Sequence, residues 1–359
     1  MMPGRSECAR LIGTASAWLA RSAGELWRDG IAATTWRGRA FGLLVLLALV
    51  TLPAWGGTPL IAAMIAVLWL AYAGSAWNLL AGFAGLFSLG HGLFIGIGAY
   101  LAAFFVLHGG LGAWPGALLA LPVAAVAGAA LGALGCRAGF KAAHFTLVSL
   151  ILAEAVHLAV IRCDGLGGGG GLALPHPAAA GKPVLFYYAI LVLTGLALAA
   201  IRLLLRSRLG YRWLAVREDA GAAAACGIDV YRARISAAAV SAALAAPAGV
   251  FLALYLRSAN PGEILSLAGS LGPVLGAALG GIGTLVGPVL GAFVVVPADQ
   301  ALSWLIGRSH HHDLAALKPL AAGLALMLVA VAAPSGIWPG FARRLGLLKA
   351  PSSDTGEPT

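Results

Sequence analysis

The sequence predicts an all-α polytopic membrane protein with about ten transmembrane helices, and two features of its composition lead to that fold class. Of its 359 residues, 60% are hydrophobic, and the mean hydropathy is +0.92. Only 10% are charged, whereas soluble globular proteins carry about 25%. So few charges exclude a soluble enzyme or regulator, and the high hydrophobicity excludes a disordered chain.

Ten apolar windows approach or reach the length needed to cross a hydrocarbon core about 30 Å thick. They cover residues 40–54, 59–80, 85–107, 114–134, 145–161, 184–205, 235–256, 264–281, 285–306 and 317–333. Ten crossings divide into two halves of five, and an odd number of helices in each half would invert the second half. Two inverted five-helix halves are therefore a hypothesis for the architecture.

The basic residues support this division and give it an orientation. With a cytoplasmic N-terminus, 18 of the 23 Lys and Arg residues fall on the cytoplasmic side, as the positive-inside rule expects. Both termini are then cytoplasmic. Because the basic residues cluster between apolar runs, the net charge of +10 reflects topology and does not indicate a nucleic-acid partner.

The predicted organisation has three parts. Residues 1–39 form a cytoplasmic N-terminal tail, residues 40–345 the transmembrane domain, and residues 346–359 a disordered C-terminal tail. Apolar residues of the first part share one helical face, which predicts an amphipathic helix on the membrane surface. A weakly ordered leader is the alternative. The charged stretch is too long for a cleavable signal peptide.

Two glycine-dense stretches are unlike ordinary spanning helices. In the first, residues 82–100, one hypothesis is a helix break at Ser88, Gly90, His91 and Gly92, with the backbone facing a cavity; close helix packing is the favoured use of these glycines. The second, residues 266–292, contains Gly280, Gly281 and Gly283. Both stretches occupy the third helix of their half, which makes them candidates for a translocation pathway.

Glu154 and His157 lie three residues apart, and so on one face, in the fifth predicted span. Ionisable groups inside a membrane are costly and often functional, so Glu154 is a further pathway candidate and the pair could relay protons. A structural pair that holds helices together is the favoured interpretation.

Three other features carry little functional signal. The run at Gly167–Gly171 lacks the GK[ST] ending of a phosphate loop and is predicted to be an external loop. The external cluster at 310–313, three histidines and an aspartate, does not by itself make a tetrahedral metal site. The four cysteines are far apart and lack CxxC spacing, so no metal site is assigned and no disulfide framework is expected.

Residues 206–234 form a charged segment on the cytoplasmic side, and acidic and basic residues alternate in it. Arg217 and Arg232 are interleaved with Glu218, Asp219 and Asp229, an alanine run follows, and Gly227 is a helix stop signal. This pattern predicts a docking surface for another protein. A solvated loop is the alternative.

At these residues the chain resembles the LivM-type permeases of branched-chain amino acid ABC importers, a broader family that includes urea and amide permeases. The resemblance covers about residues 69–304 and is carried by several motifs in order: GLFSLGHGLFIGIGAYLAA, FTLVSLILAEAVHLAV, DGL, AVREDAGAAAACGIDVYRARISAAAVSAALAAPAG and LGPVLGAALGGIGTLVGPVLGA. The polyglycine run, the histidine triplet and the long basic tail depart from the pattern expected of the family.

The resemblance implies a bacterial inner-membrane permease subunit. It further implies a LivH-like second permease, two cytoplasmic ABC ATPases and a periplasmic solute-binding protein as partners. Residues 217–229 would be the coupling element that docks into the ATPase. ATP would be used by the partners, because this chain has no phosphate loop and is expected to bind no cofactor.

Two rival functions remain. An autonomous secondary carrier would couple solute movement to protons through Glu154 and His157. A membrane-embedded enzyme ranks lowest, because the sequence has no clustered catalytic carboxylates, Ser/His pairs or metal-ligand motifs. The solute itself is set by the binding protein in such systems, so this sequence does not distinguish branched-chain amino acids from other small solutes.

Overall fold

The computed structural model describes residues 36–108, 112–137, 142–175, 183–308, 324 and 336–344. Within these residues the fold is almost entirely helical. The helices are α1 (Trp36–Trp55), α2 (Thr58–Asn78), α3 (His91–His108), α4 (Trp114–Arg137), α5 (Ala142–Ile161), α6 (Pro183–Leu205), α7 (Arg208–Glu218), α8 (Ala220–Ala225), α9 (Val230–Leu256), α10 (Pro261–Ile264), α11 (Leu267–Gly280), α12 (Gly287–Arg308) and α13 (Ile337–Arg344).

Smaller elements connect them. A π-helical turn, Leu79–Phe83, extends α2. Two 3₁₀ turns, Asp164–Leu166 and Gly168–Gly170, follow α5. The strands β1 (Leu172–Ala173) and β2 (Ser258–Ala259) pair antiparallel.

The fold class is confirmed as an all-α polytopic membrane protein. Seven helical stretches among the described residues are long and apolar enough to cross a membrane, and α1 adds a shorter apolar helix. The predicted number of ten is not reached in this part of the chain. The tenth predicted span lies outside the described residues apart from position 324, and so do the N-terminal tail, the cluster at 310–313 and the C-terminal tail.

The predicted third span, 85–107, is wrong at its start, because residues 84–90 are not helical and α3 begins only at His91. The predicted eighth span, 264–281, is also divided. The short helix α10 ends at Ile264 and a new helix begins at Leu267. In the first place Gly85, Ser88 and Gly90 lie in the non-helical stretch, and in the second Leu265 and Ser266 separate the two helices.

The core is built around α9, which packs against α2, α3 and α4. Its contact faces consist of small residues, with buried alanines at every turn. Glycines on the facing helices meet this surface without a side chain: Gly98 of α3 faces the Ala246 carbonyl, and Gly128 of α4 faces Ala238. Small residues let membrane helices approach closely enough for van der Waals packing to hold them together.

Prolines lie inside five of the helices, and near two of them an aromatic side chain binds a backbone carbonyl. A proline has no N–H and displaces the carbonyl of the preceding turn. Near Pro247 in α9, the Tyr72 hydroxyl donates to the Leu244 carbonyl at 2.7 Å. Near Pro53 in α1, the Tyr187 hydroxyl donates to the Leu49 carbonyl at 2.5 Å. These bonds tie α9 to α2 and α1 to α6.

The two ends of the bundle differ in character. At one end the polyglycine run folds into a 3₁₀ turn that leads into the β1–β2 pair, and Gly171 packs against the Ala259 carbonyl. Helix α9, 27 residues long and therefore about 40 Å, starts next to the charged segment and ends next to β2. The charged segment therefore lies at the opposite end.

Candidate functional site: two helix breaks and a charged segment

The first helix break, residues 84–90, is buried in protein on several sides. Gly85 has φ +71°, a conformation that favours glycine. The indole N–H of Trp77 donates to the Ser88 carbonyl at 2.6 Å, and the Thr146 hydroxyl donates to the Phe87 carbonyl at 2.9 Å. The Leu89 N–H donates to the Ser149 hydroxyl at 3.1 Å. Non-helical backbone at membrane depth requires such partners, and here neighbouring helices supply them.

His91 stands where α3 begins and is almost fully buried. The Ser241 hydroxyl donates its proton to the Ala76 carbonyl at 2.7 Å, so its oxygen accepts from His91 Nε2 at 2.9 Å. His91 is therefore protonated on Nε2, which leaves Nδ1 as an acceptor. Within the described residues, no donor reaches Nδ1.

The two glycine-rich stretches meet beside His91. The Gly92 N–H donates to the Ser270 hydroxyl in α11 at 3.0 Å. One helical turn along, Gly96 packs on Leu265 so closely that a Cβ would overlap the leucine side chain. Gly90 likewise packs against the Ser149 carbonyl. A break therefore includes Ser88 and Gly90 but not His91 and Gly92, which belong to α3, and close packing occurs at Gly90, Gly92 and Gly96.

The second helix break, residues 281–286, separates α11 from α12. Gly281 and Gly283 have φ +128° and +80°. The Thr284 hydroxyl donates to the Gly281 carbonyl at 2.8 Å and accepts from the Gly287 N–H at 3.1 Å. Gly280 packs directly against the Gly287 carbonyl. This arrangement folds α12 back against α11.

Asn78 joins the end of α2 to the second break, and sequence reasoning did not single it out. Its side-chain nitrogen donates to the Thr284 carbonyl at 2.8 Å, and its side-chain oxygen accepts from the Gly283 N–H at 2.8 Å. The residue is fully buried at the end of α2. The signal for Asn78 in the sequence was a single amide in an apolar run of about twenty residues. The corresponding signal for Ser241 was a hydroxyl in the alanine-rich α9.

The charged segment folds into α7 and α8, two short helices outside the candidate spans. The Asp219 carboxylate caps α8 by accepting from the Gly221 and Ala222 N–H groups at 2.7 and 3.0 Å. Gly227 follows α8 with φ +81°, as a helix stop requires. Asp229 caps α9 in the same way by accepting from the Arg232 N–H at 3.0 Å.

One face of this segment is exposed and the other is anchored. Glu218, Asp219, Gly227 and Asp229 are all exposed and so accessible to the predicted docking partner, although Asp219 and Asp229 also cap helices and Asp229 forms an ion pair with Arg232 at 3.2 Å. On the opposite face Trp213 is buried, and its indole N–H donates to the Ser236 hydroxyl of α9 at 2.9 Å.

Arg217 does not belong to the exposed face. Its guanidinium turns inward and donates to the Gly82 carbonyl, and its side chain lies against Gly85 and Gly283. Burial lowers the pKa of Arg217, while the charge of Glu218 opposes that shift. The charged segment therefore contacts both helix breaks through one partly buried cation.

Glu154 and His157 form the predicted pair, with 3.2 Å between Glu154 Oε1 and His157 Nδ1. The Glu154 side chain is 44% exposed and that of His157 12%. Glu154 shares its face of α5 with the exposed Ile151 and Leu158. The structure shows no hydrogen bond or ion pair between Glu154 and the described residues of either break.

Comparison with known proteins shows which family the chain resembles. The family model for "Branched-chain amino acid transport system / permease component" matches residues 59–332. The LivM permease protein of the high-affinity branched-chain amino acid transport system of Salmonella typhimurium is 28% identical over 295 residues, covering 74% of this chain and 67% of that protein.

Two further relatives match shorter stretches. The LivH permease protein of Salmonella typhimurium is 29% identical over 149 residues, covering 41% of this chain and 46% of that protein. The xylose permease XylH of Escherichia coli is 31% identical over 120 residues, covering 32% of this chain and 30% of that protein. No solved structure matches the chain. With the family match spanning most of its length, the chain belongs to the permease components of branched-chain amino acid transport systems.

Proposed function

We propose that this chain is one of two permease subunits of an ATP-driven importer in the bacterial inner membrane, with both termini cytoplasmic. Its solute would be a branched-chain amino acid or a related small amino acid or amide. The observation that carries the proposal is the charged segment, which is exposed on one face and contacts both helix breaks on the other. Such a segment suits a subunit whose membrane helices are moved by a partner protein bound to the segment.

The exposed face of α8 is the proposed ATPase docking site. Ala222, Ala224 and Ala225 are exposed there, next to the carboxylates of Glu218 and Asp219. These methyl groups lie outside the membrane, and removing them from water by contact with another protein would be favourable. The ATPases would bind and hydrolyse ATP, and this chain would bind no cofactor.

The remaining partners follow from the family. A LivH-like subunit would complete the pathway, and a periplasmic solute-binding protein would deliver solute at the end that carries the β1–β2 pair. We propose that solute passes beside the two breaks. Their buried polar groups, at Ser88, His91 and Ser270, are available to a solute if helices α3 and α11 move apart. Gly90, Gly92, Gly280, Gly281 and Gly283 would allow that movement.

Ala224→Trp tests the docking site, because it enlarges an exposed side chain without displacing any buried group. We expect the purified chain to keep its thermal stability and to lose its co-purifying ATPase, as a protruding indole would hold the two surfaces apart. Ala224→Ser is the matched control and should retain the ATPase. If the tryptophan variant retains the same amount of ATPase as wild type, the docking site is elsewhere.

Glu154→Gln separates the importer from the proton-coupled carrier. The importer does not need the carboxylate, so uptake should stay within about twofold of wild type, the cost of an i,i+3 pair being only about 0.2–0.5 kcal/mol. A proton relay would lose its titrating group and with it nearly all uptake. The measurement is uptake of radiolabelled leucine by cells that carry the complete system. Near-complete loss would favour the carrier.

A further inference from the structure

We propose that Arg217 is a positioning residue that transmits movement of the charged segment to both helix breaks. This inference rests on the proposed function, because it names the contact through which an ATPase would act on the membrane helices. Arg217 is turned away from the docking surface, so this role is separate from binding the ATPase.

The site around the guanidinium is shaped by glycines. An ideal Cβ on Gly283 would lie 2.7 Å from Arg217 Nη1, and one on Gly85 would lie 3.2 Å from Arg217 Cγ. Any side chain at Gly283 would therefore displace the guanidinium. Both glycines also have positive φ. A larger residue at either position would therefore strain the backbone as well as crowd the Arg217 side chain.

The chemistry of the contact suits a cation. The π-helical turn 79–83 ends α2, and the last carbonyls of a helix carry partial negative charge and lack N–H partners. Arg217 donates to one of them, that of Gly82. Among the described residues, no carboxylate lies within ion-pair distance of Arg217. The charge is therefore held by the end of the broken helix itself.

Asn78 adds a second link, between the end of α2 and the second break. Asn78 precedes the π-helical turn and binds Gly283 and Thr284 of the second break. At the same time, Trp213 fixes the helix that carries Arg217 to Ser236 of α9. A displacement of α7 must therefore move the ends of α2 and α11 together or break the bond to Gly82.

The test uses the full chain, purified with its ATPase, in proteoliposomes. A single cysteine at Ile282, in the second break, replaces the native cysteines and reports movement by its labelling rate with a water-soluble maleimide. In the parent protein we expect ATP and vanadate to change that rate at least about fivefold, the scale of a typical allosteric coupling. Arg217→Met should remove the change while ATP hydrolysis stays within about twofold.

Two further variants make the outcome decisive. Arg212→Met removes an exposed arginine from the same helix and should behave as the parent does. Arg217→Lys keeps the charge but not the planar fork, so a reduced response is expected. A parent-like response of both Arg217 variants would overturn the proposal. If Arg217→Met does not assemble, Arg217→Lys decides alone by the same criterion. A parent protein that purifies without any ATP hydrolysis would instead contradict the proposed function.

Discussion

Gly249→Val is expected to prevent this chain from forming its native bundle. Gly249 lies where α9 crosses α3, and a Cβ there would overlap the Ile95 carbonyl oxygen and lie 2.8 Å from the Ala99 nitrogen. Both are backbone atoms, which cannot rotate away as a side chain can. Overpacking a core typically costs about 1–3 kcal/mol, and a backbone clash should reach or exceed the upper end.

That cost is a large part of the 5–15 kcal/mol by which proteins are typically stable. We expect Gly249→Val to give little monodisperse protein in size-exclusion chromatography, and a clearly lowered melting temperature in any protein that is recovered. Gly195→Val is the control, because Gly195 lies in α6 with no atom within 4 Å of its ideal Cβ. Equal stability of the two variants would show that α3 and α9 do not pack as described.

Asn78→Leu is the second change with a large expected effect. Leucine has nearly the shape of asparagine but offers no polar atom, so the Gly283 N–H and the Thr284 carbonyl lose the partners shown by the structure. Each buried backbone group left unpaired costs about 1–3 kcal/mol. The variant should therefore be destabilised by roughly 2–6 kcal/mol, and its second helix break should become more accessible to protease.

Ser75→Ala is the matched control, one turn earlier on the same buried helix. The Ser75 hydroxyl donates to the Ala71 carbonyl of its own helix, so its removal leaves no backbone group without a partner. We expect thermal unfolding in detergent to separate the two variants clearly. An Asn78→Leu protein as stable as Ser75→Ala would mean that Asn78 does not hold the second break to the end of α2.

The helices could be predicted from the sequence because each apolar run is long and the charges between runs are few. Glycine content was harder to interpret, because one composition serves two purposes. Gly98 and Gly249 sit inside regular helices and let backbones touch, whereas Gly85 and Gly283 have positive φ and end helices. Only backbone conformation and the atoms that face each glycine distinguish these uses, and both depend on tertiary structure.

The orientation of Arg217 could have been inferred but was missed. Gly210, Trp213 and Leu214 are all buried, and Arg217 follows at the spacing of the same helical face. The number of charges in the segment does not reveal this periodicity, which depends on the spacing of the buried residues. Asn78 and Ser241 are different, because a lone polar residue in an apolar helix shows that a partner is needed without showing where that partner lies.

The central proposal is that this permease chain is driven by ATPases and does not work alone. Uptake of radiolabelled leucine into proteoliposomes tests that claim directly, with the purified complex and its solute-binding protein compared with this chain alone. We expect uptake only by the complex and only when its ATPase side is supplied with ATP. Accumulation by this chain alone, driven by an inward proton gradient without ATP, would contradict the account.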